Sequence, residues 1–145
     1  FNLDKCSNLT VSQVMSASKF PGHLPSLAFS GNEDFTGRVG TDFGNCTGIT
    51  SEQIMSMATP PQILPNTKFT GTEDISSWNI TNMDFSRASG ISGEQLGSTA
   101  SVMGVTLSQE QYDALKAYVA SDSSWKKGRL VYIRNADGTK TRKVL

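Results

Sequence analysis

The chain has 145 residues, 37% of them hydrophobic, with 13 glycines and frequent Ser and Thr. That is enough for one compact domain with a real core and too little for two comfortable ones, and it suits a chain of many turns and short elements. Lys plus Arg and Asp plus Glu both number 13, so the formal charge is zero. No apolar run approaches the length that spans a bilayer, and the first residues lack the basic-then-apolar pattern of a signal peptide.

Along the chain, five segments share one register: 3–10, 29–36, 43–50, 69–76 and 85–92. Each opens on a large apolar residue (Leu3, Phe29, Phe43, Phe69, Phe85), runs through five others to a second apolar residue, and closes on Ser or Thr. The starts lie 26, 14, 26 and 16 residues apart, so a larger unit recurs after 40 and then 42 residues. Thr10 with Gln13, Thr50 with Gln53, Ser92 with Gln95 and Ser108 with Gln111 have the spacing of capping boxes. In such a box the cap hydroxyl accepts from a backbone N–H one turn in, and the Gln side chain reaches back to the cap. Apolar residues stand one before and four after each cap (Leu9 and Val14, Ile49 and Ile54, Ile91 and Leu96, Leu107 and Tyr112), the spacing of a hydrophobic staple. Short helices are therefore predicted over 11–18, 51–58 and 93–100, and a longer one over 109–120. The patterns Leu24-x-x-Leu27-x-Phe29, Leu64-x-x-Thr67-x-Phe69 and Ile80-x-x-Met83-x-Phe85, with their last two positions alternating, predict short strands leading into three of the five segments.

A strand, a turn, a helix and a Pro-rich return cannot bury their own apolar face, so the units must stack. The expected fold is an α/β solenoid. The pattern resembles the leucine-rich-repeat family, with the five large residues at the inward strand position and Cys6, Asn32, Cys46, Thr72 and Ala88 where that family carries Asn or Cys. The stretches opening at Cys6 and Cys46 are similar to its cysteine-containing subclass. The segment 74–83, with Trp78, resembles Trp-containing repeats of bacterial surface proteins of the same broad family. The expected architecture is a leucine-rich-repeat-like solenoid of short parallel strands and short helices over 1–107, followed by a cap over 108–145. That cap is a helix and a β-hairpin, read from two alternating runs either side of Asn135-Ala-Asp-Gly138. The opening at Phe1 falls in mid-pattern, which predicts either a piece of a larger parent chain or a Phe1 that packs against something else.

Few residues offer chemistry. His23 is the single histidine and has no His or Cys at metal-ligand spacing, so it reads as a loop residue and no metal or cofactor is expected. No G-x-S-x-G nucleophile motif is present, and no catalytic residue is assigned. Glu33-Asp34 and Glu73-Asp74 recur in register but supply too few oxygens for a calcium loop, and they read as solvated turns with Asp capping locally. Cys6 and Cys46, one intervening rung apart in a stack of about 4.8 Å spacing, read as buried reduced thiols; a disulfide requires Cα atoms within about 7 Å. If the short units are not rungs, the two could bridge. Asn8, Asn45 and Asn79 begin glycosylation sequons, a weak signal in so Thr-rich a chain.

Residues 122–145 carry seven basic residues against Asp122 and Asp137, a net +5 against −5 for the rest. The tail reads as a solvated hairpin more readily than as a nucleic-acid arm. The alternation that sends the large residues inward sends polar neighbours outward, which makes Asp4, Ser30, Asp42, Lys68, Thr70, Asp84 and Ser86 the candidate ligand-binding residues. The resulting expectation is a non-enzymatic recognition module of a larger surface or virion tail protein, outside the cell or on its surface. It would contact a protein or glycan through this sheet face. Its rival is a structural domain that self-associates into a homo-oligomer through the cap.

Overall fold

The computed structural model describes residues 3, 5–99, 101–125 and 128–145. Four helices and three strands follow in the order α1 (Val11–Ser16), α2 (Ser51–Met55), α3 (Gly93–Gly97), β1 (Val105–Leu107), α4 (Gln109–Ser121), β2 (Leu130–Arg134) and β3 (Lys140–Val144). The strands form one mixed sheet in the order β1-β2-β3, with β1 parallel to β2 and β2 antiparallel to β3. The chain divides into two compact units, Phe1–Lys68 and Phe69–Leu145, and the expected division at residue 107 falls inside the second.

All four helices begin at the expected residues, each closed by a complete capping box on Thr10, Thr50, Ser92 or Ser108. The first three end sooner than the apolar spacing predicts, after five or six residues. The reason is local. Ser16, Ser56 and Ser98 stand three residues after the box Gln and donate their hydroxyls to its carbonyl at 2.7–2.8 Å. A side chain that takes this carbonyl offers the backbone an alternative to the helical ladder. In α4 the equivalent position is Ala114, and the helix runs on to Ser121, which closes it in the same way on the Tyr118 carbonyl.

The solenoid is not what forms. Regular strands among the described residues are confined to the three-stranded sheet, and the segments expected as strands at 24–29, 64–69 and 80–85 do not extend. Parallel pairing survives there only as isolated bridges: His23 with Asp42, Ala28 with Thr47 and Asp42 with Ile63 in the first unit, and Asp84 with Thr106 in the second. Pro25 and Pro65 interrupt two of the runs, and a proline has no N–H to give a ladder. In the third, Asn82 turns to a positive φ of 60° and the Met83 N–H folds back onto the Ile80 carbonyl at 3.0 Å. The result is a small α/β structure in which turns outnumber ladders.

The inward assignment holds for the four phenylalanines of the register, whereas Leu3 is only half-buried. In the first unit, Phe29, Phe35 and Phe43 are buried and join Phe20 in an aromatic cluster with ring centroids 5.4–6.4 Å apart, mostly edge to face. Edge-to-face contacts of this kind add to the area they bury. In the second, Phe69 and Phe85 are buried, with Trp78 set edge-on to Phe85 at 6.3 Å. Two close backbone approaches recur with the period. Phe29 N donates to the Thr47 carbonyl and Phe69 N to the Ser89 carbonyl, both at 2.8 Å, and the next residues, Gly48 and Gly90, adopt φ of 78° and 77°. A Cβ at Gly48 or Gly90 would overlap the carbonyl oxygen of Phe29 or Phe69. Only glycine combines that φ with that clearance. Gly48→Ala and Gly90→Ala are each expected to cost more than about 2 kcal/mol, read as a lower urea midpoint; an unchanged midpoint would show that the chain can shift out of the way.

Candidate functional site

The outward residues singled out from the sequence resolve into local turns. In the first unit Ser30 is exposed but committed: its N–H and hydroxyl both donate to Glu33 Oε2, at 2.8 and 2.9 Å. In the second unit Thr70 repeats the backbone bond, donating its N–H to Glu73 Oε2 at 2.8 Å, while its hydroxyl pairs with that of Thr72. Asp42 accepts from the Gly44 N–H at 2.9 Å through one oxygen and faces His23 Nδ1 at 2.6 Å through the other. Asp84 takes the N–H and hydroxyl of Ser86 at 2.9 and 2.6 Å, and its other oxygen pairs with Arg87 at 3.0 Å. These are side-chain caps of the kind that let Asp and Ser stabilise tight turns. Lys68 is exposed and stands at an isolated bridge. Asp4 lies outside the described residues. Five of the six described residues, Ser30, Asp42, Thr70, Asp84 and Ser86, therefore already take part in local turns.

His23 is more than a loop residue, since its imidazole pairs with Asp42 across a parallel bridge; the 19-residue separation hid this from the sequence. The cysteines part company. Cys46 is buried, its Sγ set 3.6 Å from the Pro25 carbonyl, and burial holds its thiol up at about 11, so it is a neutral packing group. Cys6 is exposed, against the expectation of a buried column, and both thiols are free.

The two acidic turns are closed by several hydrogen bonds each. Glu33 folds back onto the N–H groups of Ser30 and Gly31, and Glu73 onto those of Thr70 and Gly71, at 2.8–3.1 Å. A glutamine from the following helix then closes each turn. Gln53 Nε2 donates to the Glu33 carbonyl oxygen at 2.9 Å and to its Oε1 at 3.1 Å; Gln95 Nε2 does the same to Glu73 at 2.9 and 3.2 Å. The Oε1 of each glutamine is meanwhile occupied by its own cap N–H. Burial raises both glutamates, yet these donors outweigh it and hold each at about 2. Both stay ionised at neutral pH. Asp34 and Asp74 cap Thr36 and Ser76 and are also lowered.

Two grooves remain. One, of about 620 Å³ in the first unit, is lined by Lys19, Phe20, Arg38, Val39 and Thr41, with Arg38 stacked on Phe20 at 4.5 Å and donating to the Met15 and Ala17 carbonyls. The other, of about 600 Å³ in the second unit, is lined by Tyr112, Lys116, Val119, Trp125, Val144 and Leu145. Among the described residues, no three His, Cys, Asp or Glu are grouped to hold a metal ion, and no helix is long and apolar enough to cross a membrane. No family model matches the chain, and no curated protein or solved structure matches it. The resemblance drawn from the repeat pattern thus rests on that pattern alone.

A capping box accepts Glu as readily as Gln, but only Gln has the Nε2 donor that these turns use. Gln53→Glu and Gln95→Glu keep the box yet set a second carboxylate against Glu33 or Glu73. Each is expected to destabilise by about 2–4 kcal/mol at pH 7, whereas Gln13→Glu, whose side chain makes only its box bond, should stay within about 0.5 kcal/mol. Equal effects in chemical denaturation would remove the cross-turn role. Acid provides a second check. With folded values near 2 against 4.5 ordinarily, Glu33 and Glu73 contribute stability that is fully present above about pH 4.5 and is lost as pH falls towards 2. Glu33→Gln and Glu73→Gln should flatten that acid limb of the urea midpoint, and a limb of unchanged steepness would assign the acid response elsewhere.

Proposed function

We propose that the chain is a non-catalytic recognition module that contacts a protein partner through the edge strand of its second unit. The observation that carries this reading is the state of β3. It ends the sheet order, all five of its residues are exposed, and every second residue of an antiparallel strand directs its N–H and C=O away from its neighbour. Such a row is a template for another strand. Beside it lies the apolar groove of Tyr112, Val119, Trp125 and Val144. An open edge next to a pocket gives main-chain affinity and side-chain selectivity together. The carboxylates elsewhere favour binding over proton transfer, because Glu33 and Glu73 are ionised and fixed by donors at neutral pH.

The other reading, self-association through the same strand, meets the charge of β3. Antiparallel pairing of two copies would set Lys140, Arg142 and Lys143 against one another, and like charges directly opposite are destabilising. Peptide-display selection against the full chain, with binders mapped by amide chemical shifts, tests the choice. Recovered binders are expected to perturb 130–134 and 140–144, with the free protein monomeric in light scattering at micromolar concentration. Binders that map to other surfaces, or a stable dimer whose interface includes β3, would overturn the proposal.

A further inference from the structure

The edge strand and the groove together specify the chemistry of what would bind them. On the reading that the second unit binds through β3, we propose that the partner is an extended acidic polypeptide segment. It adds as a strand to β3 and seats an apolar side chain in the groove beside Trp125.

Charge is the first argument. Lys140, Arg142 and Lys143 are exposed on β3, Arg134 is exposed at the end of β2, and Lys116 stands in the groove wall. The stretch 122–145 also holds two acids, Asp122 in the groove wall and Asp137 in the hairpin turn; both stay ionised and are already counted in its net +5. Asp122 accepts from the N–H and hydroxyl of Ser124 at 2.9 and 2.6 Å, and Asp137 from those of Thr139 at 3.0 and 2.6 Å. A partner strand carrying carboxylates on alternate residues would meet cations with few competing anions. The same cations keep a second copy of the strand away, as edge lysines commonly do.

Hydrogen bonding is the second argument. The Trp125 indole N–H is buried and has no partner among the described residues. Trp125 lines the groove and buried donors are nearly always satisfied, so a segment seated there that opens access to the indole would supply a carbonyl or carboxylate acceptor. Nucleic acid is the competing anion. It lacks the amide row that pairs with a strand edge, and the Trp125 ring on which a base could stack already carries the Arg129 guanidinium, 5.6 Å from its centroid.

The test uses the full chain and a synthetic peptide that alternates Glu with Val around one central Leu. Titration followed by amide shifts and calorimetry is expected to show binding that perturbs β2, β3 and the Trp125 indole, and that weakens as salt is raised. Lys140→Glu with Arg142→Glu, at two exposed positions, should weaken it by at least about tenfold while leaving the circular dichroism spectrum unchanged. If the Lys-for-Glu peptide binds as tightly, or if a single-stranded oligonucleotide displaces the acidic peptide, the acidic-segment proposal falls while the strand-edge reading survives. If neither peptide perturbs β3 and display selection yields no binder there, the strand-edge reading itself falls.

Discussion

The local order of each unit depends on one amide group used at both ends. The glutamine at the third helical position gives its carbonyl oxygen to the N-cap N–H and its Nε2 to a backbone carbonyl 20–26 residues upstream: Gln53 to Glu33, Gln95 to Glu73, and Gln111 to Phe85 and Ala88 at 2.8 and 3.0 Å. All three side chains are buried. A buried amide with one free end would be costly, and one with both ends engaged ties a local motif to a distant turn. Helices of five residues are far too short to persist alone. Here the helix start and the earlier turn stabilise one another, so neither has to form by itself.

This coupling explains what the 40-residue recurrence preserves and what it lets vary. Phe29, Glu33, Gly48, Thr50 and Gln53 correspond to Phe69, Glu73, Gly90, Ser92 and Gln95, the set that makes the turn, the close approach and the clamp. The connection between them differs by two residues, and its filling changes. The turn bond from residue 38 to the Phe35 carbonyl and that from residue 78 to the Ile75 carbonyl are alike, 3.0 and 2.9 Å. Yet Arg38 lies over Phe20 and reaches back to α1, whereas Trp78 is buried against Phe85. The clamp needs specific atoms at fixed places, while the connection needs only to cover apolar surface, which a guanidinium stem or an indole does equally well.

That division sets how much was legible in the sequence. Capping boxes are local chemistry within four residues, so Thr10, Thr50, Ser92 and Ser108 marked helix starts correctly, and Asn135-Ala-Asp-Gly138 marked the hairpin turn. Phe29, Phe43, Phe69 and Phe85 of the register are buried because their period is imposed by the same local motif. Strand extent was misread, since alternation over a few residues does not say whether a proline or a reversed turn will stop the ladder at one bridge. The serine stops of α1 to α3 were visible three residues after each glutamine but look like ordinary polar positions. The pairing of His23 with Asp42 and the second use of the glutamine amides depend on chain segments about 20 residues apart, which no local rule connects. The repeated choice of Gln over Glu in all four boxes was the one signal that could have pointed to them.

The same hydrogen-bond accounting separates the two classes of polar surface. Asp42, Asp84, Ser30 and Thr70 look available in a list of outward residues, but each carboxylate or hydroxyl already holds a turn closed. Drawing them towards a ligand would loosen the structure that presents them. The edge of β3 is in the opposite condition. Its outer amides are met by no strand in the sheet order, its side chains project into water, and the adjacent Trp125 N–H is unsatisfied among the described residues. A partner there would complete bonds and disturb none, and the solvent exposure of β3 keeps its basic charges free of any folding role. Of the basic residues in 122–145, Lys140, Arg142 and Lys143 stand exposed on that open strand.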